Sequence, residues 1–277
     1  MNEKIGIIGY GNMGQAIAER IRKVYRISVF DKDKNRLVKT EGMRIASGIR
    51  DIAEYSEVII LAVKPQDIDQ VLKELRSCYQ DKLIISIAAG ITTGHIEKLM
   101  GHVRVIRAMP NLGAKIGESV TCICKGTFAS DNDLSFADEV FSYIGSTESL
   151  SENMMNAATA ISGSGPAYVF YFVQEFGIDP KNIPNHARHE IMMRFERAAE
   201  SVGFDRETAA NLAANTTNSG LLLLTKTGID PAVLIDQVAS KGGTTEAALK
   251  VIKSGGSWDE AALAALKRAE ELANTWR

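Results

Sequence analysis

Two adjacent glycines interrupt a helical stretch in the sequence VASKGGTTEAAL, at residues 238–249. An interior glycine costs a helix about 1 kcal/mol relative to alanine, so this break needs a reason. We expect Thr244 or Thr245 to be the N-cap of the helix that follows. The backbone N–H groups from Ser240 onward would then face an anion, and a substrate carboxylate would suit that position. A plain connection between two helices is the alternative interpretation.

A second glycine-rich turn, GYGNMG, follows the first apolar run of the chain. The spacing Gly-x-Gly-x-x-Gly between a predicted strand and a predicted helix is typical of dinucleotide binding. Gly9 would permit the tight turn, Gly11 would let the backbone approach a pyrophosphate, and Gly14 would allow close helix packing. The start of the helix would hold the anion. The sequence therefore predicts a dinucleotide site, with a turn that binds nothing as the alternative.

Asp31 ends the second apolar run and is placed to accept hydrogen bonds from an adenosine ribose. Its charge would repel a 2′-phosphate, which favours NADH over NADPH. Three basic residues follow and would reverse that preference if they faced the cofactor: Lys32, Lys34 and Arg36. Their alternative role is a solvated helix start. The residues alone predict NADPH or NADH, with Asp31 favouring NADH.

The four histidines show no nucleophile or metal pattern, and a surface helix explains the HxxH spacing of His186 and His189 better than zinc does. Neither an Asp-His pair nor a lysine base is evident, although oxidation of an alcohol would normally demand one. Hydride donation to an electrophilic carbon, such as that of a protonated imine, needs no strong base. A hydroxyl that orients the nitrogen and a pocket for the carboxylate would suffice.

Short β-branched runs alternate with helical periods in the first part of the chain, which indicates strands buried in a parallel sheet. The predicted strands are Ile5–Ile8, Ile27–Phe30, Val58–Val63, Leu83–Ile87, Val103–Ile106 and Val120–Ile123, with a helix at Asp131–Tyr143. Beyond residue 150 the pattern is helical to the final predicted helix, Trp258–Trp276. The fold class is therefore α/β. We expect an N-terminal Rossmann-type parallel sheet domain at residues 1–150, followed by an all-helical domain at residues 151–277.

Composition excludes several function classes. The chain of 277 residues has a formal charge of −2 and a pI near 6.1, so it has no general attraction to nucleic acid or anionic lipid. No apolar run approaches the ~20 residues that span a membrane. Three cysteines without CxxC spacing argue against a disulfide framework. We expect a cytoplasmic protein with a small-molecule substrate, no nucleic-acid partner and no membrane contact.

Six motifs in order resemble the pyrroline-5-carboxylate reductase family over nearly the whole chain. They are GYGNMG (9–14), AVKPQ (62–66), SIAAG (86–90), RAMPN (107–111), SGSGPAYVFYF (162–172) and DQVASKGGTTEAAL (236–249). The resemblance implies reduction of the cyclic imine pyrroline-5-carboxylate to L-proline by NADPH or NADH, a step of proline biosynthesis. It also implies that the helical domain is a dimerisation domain, so that the protein would be a homodimer and in some cases a homodecamer.

The resemblance also implies a role for each matching residue. The cofactor residues would be Ile8, Gly9, Tyr10, Gly11, Asn12 and Met13 at the pyrophosphate, and Ala62, Val63, Lys64 and Ala88 beside the nicotinamide. The substrate residues would be Ser240, Gly243 and Thr244 at the carboxylate and Thr245 at the ring nitrogen. Thr159 would supply a second hydroxyl. Glu152 would lie near the substrate, or it is an acidic residue at a helix start.

Four features depart from the family pattern. Lys241 replaces a proline in the glycine loop, Leu112-Gly113 follows RAMPN in place of Thr-Pro, and Ile49 replaces an asparagine near the adenosine. The segment from Gly177 to about Arg194 resembles an insertion. Its two prolines, with Asn182 and Asn185, predict that it forms no ordinary helix.

Two other functions fit the same sequence. A β-hydroxyacid dehydrogenase or a broader imine reductase would share the two-domain plan, and the former would need a lysine base such as Lys226 or Lys250. A non-catalytic nucleotide-binding regulator is the third hypothesis. Fold alone does not separate these, because function depends on the site.

Overall fold

The computed structural model describes residues 3–275, except for the side chain of Lys39. These residues form two compact units. The first contains residues 3–109 and Ile123–Glu152, and the second contains Pro110–Cys122 and Asn153–Thr275. A parallel-stranded α/β region is followed by a helical region, which confirms the predicted fold class.

The described residues of the α/β region form eight strands and five α-helices. The strands are β1 (Lys4–Ile8), β2 (Arg26–Phe30), β3 (Arg44–Ile45), β4 (Val58–Leu61), β5 (Leu83–Ser86), β6 (Arg104–Met109), β7 (Ser119–Lys125) and β8 (Gly145–Ser149). The helices are α1 (Asn12–Ile21), α2 (Ile49–Tyr55), α3 (Ile68–Arg76), α4 (Thr93–Met100) and α5 (Asp131–Ser142). The strand order across the sheet is β3-β2-β1-β4-β5-β6-β7-β8.

The centre of the sheet is parallel and buried. β1 pairs with β2 and β4, and β4 pairs with β5, all in parallel register. Ile8 is opposite Leu61, and Leu61 is opposite Ser86. Strands β4 and β5 are buried along their whole length, as expected for β-branched runs in a parallel sheet. The register places the carboxyl ends of β1, β4 and β5 at one edge, where open parallel sheets bind ligands.

Two short strands were not predicted. The residues of β3 are exposed, and β8 has the polar sequence GSTES, so neither shows the apolar run that reveals a buried strand. The predicted helix after β7 is confirmed as α5. It begins after Ser130, whose side chain forms a capping box with Asp133.

Seven α-helices are formed by the described part of the helical unit. They are α6 (Met155–Ala158), α7 (Gly165–Glu175), α8 (Asn185–Ser201), α9 (Arg206–Thr227), α10 (Pro231–Val238), α11 (Thr244–Lys253) and α12 (Trp258–Asn274). A π-helical turn, Thr159–Gly163, joins α6 to α7. Aromatic rings hold three of these helices together: the centroid of Phe195 lies 5.7 Å from that of Tyr168 and 4.7 Å from that of Trp258.

The segment from Gly177 to Arg194 is only partly irregular. A loop runs from Gly177 to Pro184, and α8 then begins at Asn185, so the prediction of no ordinary helix is wrong from that residue onward. Pro184 is the N-cap of α8 and therefore does not interrupt it. Ile191 and Phe195 are buried and anchor the helix. The predicted last helix ends at Asn274, and Trp276 lies outside the described residues.

Within residues 3–275, no helix is both long and apolar enough to cross a membrane. The same residues contain no group of three or more His, Cys, Asp and Glu side chains that would hold a metal ion. Cys78, Cys122 and Cys124 form no disulfide bond within these residues.

Candidate functional site

The first predicted site is a sharp turn between β1 and α1. Gly9 has a φ of 99°, in the left-handed region, and a Cβ there would lie 2.5 Å from the carbonyl oxygen of Ala62. A Cβ on Gly14 would collide with the carbonyl oxygen of Gly9. These two positions therefore require glycine if α1 is to start directly at the end of β1.

The start of α1 is open to an anion. Gly11 is its N-cap, and no side chain of the described residues caps the helix. A Cβ on Gly11 would have one described neighbour within 4 Å, the guanidinium of Arg36 at 3.5 Å. The first-turn N–H groups and the positive end of the helix are thus available to an external acceptor. This cradle fits the pyrophosphate of a dinucleotide.

Asp31 connects the end of β2 to the glycine turn. One carboxylate oxygen accepts a hydrogen bond from the Tyr10 backbone N–H at 2.7 Å, and the other accepts one from the Asp33 N–H at 2.8 Å. The Asp31 side chain is 5% exposed, so its charge is held largely out of water. Burial, with a smaller contribution from Glu19, raises the pKa of the Tyr10 hydroxyl to about 12, so this side chain stays neutral.

The three basic residues after Asp31 differ in position. Lys32 forms an ion pair with Asp67 at 2.7 Å, and Lys34 is exposed. Arg36 lies beside the turn, with its guanidinium 3.5 Å from the Asp31 carboxylate and 3.5 Å from that of Asp33. Arg36 is therefore the basic side chain of the three that faces the candidate cofactor site.

The remaining predicted cofactor residues follow the neighbouring strands. Ala62, Val63 and Lys64 come directly after β4, and Ala88 follows β5. The Ala62 N–H donates to the carbonyl of Ile8 at 2.8 Å, which ties this segment to the end of β1. Ala88 is buried and Lys64 is exposed. The structure thus brings the predicted cofactor residues to one edge of the sheet.

The second predicted site is the glycine loop before α11. Gly243, not Thr244 or Thr245, is the N-cap of α11, so the predicted N-cap is wrong. No side chain of the described part of the chain caps this helix, which leaves the hydroxyls of both threonines for other partners. The Gly243 N–H donates to the carbonyl of Ser240 at 2.9 Å, and a Cβ on Gly243 would collide with the Ser240 hydroxyl. Gly242 has a φ of 71°, in the left-handed region.

Two charged side chains hold Gly242 in place. The Arg268 Nε donates to its carbonyl at 2.7 Å, and its N–H donates to the Glu246 carboxylate at 2.6 Å. Arg268 also forms an ion pair with Glu271 at 2.8 Å. These bonds shape the loop although Lys241 stands where the family has a proline. Arg268 was missed in the sequence because nothing local connects it to a loop 26 residues earlier.

Three hydroxyls meet at the start of α11. The Thr245 hydroxyl donates to the Ser164 Oγ at 3.1 Å, and the Ser164 and Thr244 hydroxyl oxygens are 3.0 Å apart. Ser164 and Thr245 are buried, and Thr244 is half-buried. The structure therefore brings the SGSGP motif to the GGTT motif. Ser164 was missed as a site residue, although a serine inside a glycine-rich helix break was the available indication.

The π-helical turn presents Ser164 to α11. Such turns contain one extra residue relative to an α-helix and occur often at functional sites. The Ser164 N–H donates to the Thr159 carbonyl at 2.9 Å, which closes the turn. Asn111, from the RAMPN motif, is buried and donates from its side-chain amide to the Ser162 carbonyl at 3.2 Å. Asn111 is thus a second residue that the sequence did not assign.

Thr159 was expected to supply a second hydroxyl. The structure places it in the π-helical turn, buried, with its hydroxyl donating to the Met155 carbonyl at 2.9 Å. Ser164, rather than Thr159, makes the hydrogen bond with Thr245.

Glu152 belongs to the first unit and forms an ion pair with the buried guanidinium of Arg107. One carboxylate oxygen lies 2.7 Å from the Arg107 guanidinium, and the other accepts a hydrogen bond from the Cys124 thiol at 3.2 Å. The Arg107 side chain is 2% exposed, and a buried charge of this kind requires a partner. Burial, followed by the charge of Glu152, raises the pKa of the Cys124 thiol far above its usual range.

The glycine cradle at the carboxyl edge of a parallel sheet defines the first unit as a dinucleotide-binding domain of the oxidoreductase type. Residues 4–90 match the family model described as NADP oxidoreductase, coenzyme F420-dependent. Residues 152–177 and 189–272 match the model described as pyrroline-5-carboxylate reductase dimerisation, with a gap at the loop and first turn of α8.

Named relatives resemble the whole chain. It is 32% identical to a pyrroline-5-carboxylate reductase of Methanosarcina acetivorans, over 98% of both proteins. It is 34% identical to one of Synechocystis, over 98% of this chain and 99% of the relative. A reductase structure from Coxiella burnetii has a TM-score of 0.64 at 30% identity and covers 97% of this chain and 98% of its own. The chain belongs to the pyrroline-5-carboxylate reductase family, which confirms the resemblance carried by its motifs.

Proposed function

We propose that this chain reduces pyrroline-5-carboxylate to L-proline, with NADPH or NADH as the cofactor. The observation that carries this proposal is the hydroxyl cluster at the uncapped start of α11. Free N–H groups and a hydroxyl complement a carboxylate, and a buried hydroxyl beside them complements an imine nitrogen. The full-length similarity to named reductases supports the same reaction. A related reductase structure, from Plasmodium falciparum, has NADP bound, with a TM-score of 0.64 at 25% identity over 98% of both chains.

The residues of the first unit would hold the dinucleotide, which supplies the hydride when bound. The backbone from Ile8 to Met13 would bind the pyrophosphate, since its glycines leave the helix start accessible. Ala62 to Lys64 and Ala88 would flank the nicotinamide. Asp31 would contact the adenosine ribose while it also holds the glycine turn.

The residues of the second unit would hold the substrate. Ser240, Gly243 and Thr244 would bind the carboxylate, and Thr245 would bind the ring nitrogen. The Gly243 N–H donates to the Ser240 carbonyl here, so it would exchange that acceptor for the substrate. The Thr159 hydroxyl donates to the Met155 carbonyl and is not directed at a substrate. Thr159 would therefore support the site by stabilising the π-helical turn. The carboxylate of Glu152 balances the charge of Arg107, and a place near the substrate remains a proposal for it.

A lysine base, as a hydroxyacid dehydrogenase would need, is less well supported. Lys226 forms an ion pair with Glu118 at 2.8 Å, and Lys250 is exposed on α11. The imine reduction that we propose needs no such base.

The proposed organisation assigns residues 1–150 to the cofactor and residues 151–277 to dimerisation and substrate binding. The match to a dimerisation model supports a homodimer, and a homodecamer is the larger assembly that we consider. Leu221, Leu223 and Leu224 of α9 are buried within this chain. A cytoplasmic location completes the proposal.

The decisive experiment mixes purified protein with pyrroline-5-carboxylate and either NADPH or NADH, and follows cofactor absorbance. We expect turnover, with proline as the product. A six-membered cyclic imino acid in parallel would reveal a broader imine reductase. Cofactor binding without turnover of either ring would reject the proposal and favour the regulator.

A further inference from the structure

We propose that Ser164 orients the hydroxyls of Thr244 and Thr245 so that the site binds the imino acid with its ring nitrogen protonated. This inference rests on the proposed function and deepens it. It assigns Ser164 as a positioning residue, and it names the zwitterion of the cyclic imine, with a positive N–H and a negative carboxylate, as the form that is bound.

The argument begins with the direction of the hydrogen bonds. The Thr245 hydroxyl donates its hydrogen to Ser164 at 3.1 Å. A hydroxyl has one hydrogen, so the Thr245 oxygen can offer a substrate only its lone pairs. It is therefore an acceptor, and an imine nitrogen can bind to it only if that nitrogen carries a hydrogen.

The same count determines the role of Thr244. Because Ser164 accepts from Thr245, its own hydrogen is free for its other partner, the Thr244 oxygen at 3.0 Å. The Thr244 hydrogen is then available to a third group. That group must be an acceptor, and a carboxylate beside the positive end of α11 is a favourable one. The chain of hydroxyls thus has an acceptor at one end and a donor at the other.

This direction suits the chemistry of the reaction. When hydride adds to the carbon of a protonated imine, the electron pair of the double bond moves to nitrogen, which becomes a neutral amine and keeps its hydrogen. The proton has already come from water, before binding. The step therefore balances without a proton donor in the site, and an acceptor at Thr245 stabilises the N–H throughout.

Burial makes the direction persistent. Ser164 is 1% exposed and Thr245 is 4% exposed, so bulk water does not compete for their hydrogens. The position of Ser164 is determined by the π-helical turn, through its N–H bond to Thr159, and by the bond from Asn111 to Ser162.

The test compares Ser164→Ala with a matched control, Ser162→Ala. Ser162 is buried in the same motif, but its hydroxyl donates to the Val120 carbonyl at 2.9 Å rather than to either threonine. Three further variants are made: Thr245→Val, Thr245→Ser and the double variant Ser164→Ala/Thr245→Val. For all five variants kcat and KM are measured from acid to alkaline pH. Thermal melting of each reports on structure.

We expect Ser164→Ala to lower kcat roughly tenfold, with a smaller change in KM. In this variant the Thr245 hydroxyl has lost its acceptor and is free to donate to the unprotonated imine. After hydride addition the nitrogen takes its proton through this hydroxyl, which water reprotonates, so kcat/KM extends to higher pH. Thr245→Ser keeps the wild-type pH profile. In the Thr245→Val background, Ser164→Ala has no further effect on the pH profile, because that effect acts through the missing Thr245 hydroxyl; a change in KM through Thr244 remains.

The inference is overturned if Ser164→Ala retains the wild-type pH profile. It is also overturned if the fall in kcat caused by Ser164→Ala and the fall caused by Thr245→Val multiply in full in the double variant. An equal effect of Ser162→Ala on the pH profile would also overturn it. These results differ from a failure of the proposed function, in which the wild-type protein itself shows no turnover.

Discussion

The carboxylate of Asp31 accepts a 2.7 Å hydrogen bond from the backbone N–H of Tyr10, in the middle of the glycine turn. An acidic residue at this place in a dinucleotide fold is usually read as a ribose ligand that excludes a 2′-phosphate. Here the same carboxylate shapes the turn, and the Arg36 guanidinium lies 3.5 Å away. The positive charge offsets the repulsion that Asp31 alone would exert on a phosphate.

Arg36→Ala should therefore weaken NADPH binding more than NADH binding. Charge-assisted hydrogen bonds to a phosphate contribute about 1.5–3 kcal/mol, so we expect the Kd for NADPH to rise roughly tenfold or more. Calorimetric titration of both cofactors measures the change. Arg50→Ala, on the exposed surface of α2, controls for net charge. An equal loss for the two cofactors would contradict a role at the 2′-phosphate.

Gly14→Ala should abolish tight dinucleotide binding. The new methyl group would collide with the Gly9 carbonyl and lie 3.2 Å from the Ala62 side chain, so the turn must open. Overpacking of this kind costs about 1–3 kcal/mol of folding free energy. Denaturant unfolding and cofactor titration measure the two effects. Gly94→Ala is the control, because a Cβ there meets nothing within 4 Å and a helical alanine stabilises by up to about 1 kcal/mol.

Arg268→Ala should raise the KM for the imine and change kcat less. The side chain fixes the carbonyl of Gly242 at 2.7 Å, so its loss loosens the loop that would hold the carboxylate. One hydrogen bond contributes about 1 kcal/mol, which corresponds to a roughly fivefold change in KM. Lys267→Ala removes an exposed charge from the neighbouring position as the control. A fall in kcat at constant KM would be the contrary result.

Cys124 should react more slowly with alkylating reagents than Cys78. Burial and then the charge of Glu152 raise the pKa of the Cys124 thiol, so little thiolate forms at neutral pH. Peptide mapping after timed alkylation gives the relative rates. If the two cysteines are labelled at the same rate, the buried geometry is not maintained in solution.

The same shift predicts a pH dependence of stability. In the unfolded chain a thiol ionises near pH ~8.5, whereas Cys124 in the folded protein does not. A raised pKa in the folded state means that the stability is complete below that pH and is lost as pH rises above it. The free energy of unfolding of the wild-type protein should fall more steeply above pH ~9 than that of Cys124→Ala. Parallel slopes would contradict this.

The sequence predicted the sheet and the motifs well because both are local. Buried strands such as β4 are recognisable in the sequence as apolar runs. The glycine spacing at the end of β1 is typical of dinucleotide binding. The N-cap of α11 was predicted wrongly because both threonines have better partners in Ser164, which is 80 residues from Thr244. Such a contact exists only once the helices have packed, so residue spacing does not reveal it.

The helix that begins at Asn185 shows a case in which a local sequence signal was misleading. Two prolines and two asparagines suggested an irregular segment, yet one proline caps α8 and the buried faces of Ile191 and Phe195 stabilise it. Tertiary packing here overrides a local preference. Arg268 and Asn111 were missed for a related reason, since each acts on a loop that is distant in the sequence.

The π-helical turn at Thr159–Gly163 contains one residue more than an α-helical turn would. This extra residue determines the direction, around the helix axis, in which Ser164 and the side chains of α7 point. Each residue of an α-helix advances the chain by about 100°, so deleting one residue there would regularise the coil and swing Ser164 away from α11. Evolution or a protein engineer could then disconnect the two halves of this site by a change in length, without altering any side chain within it.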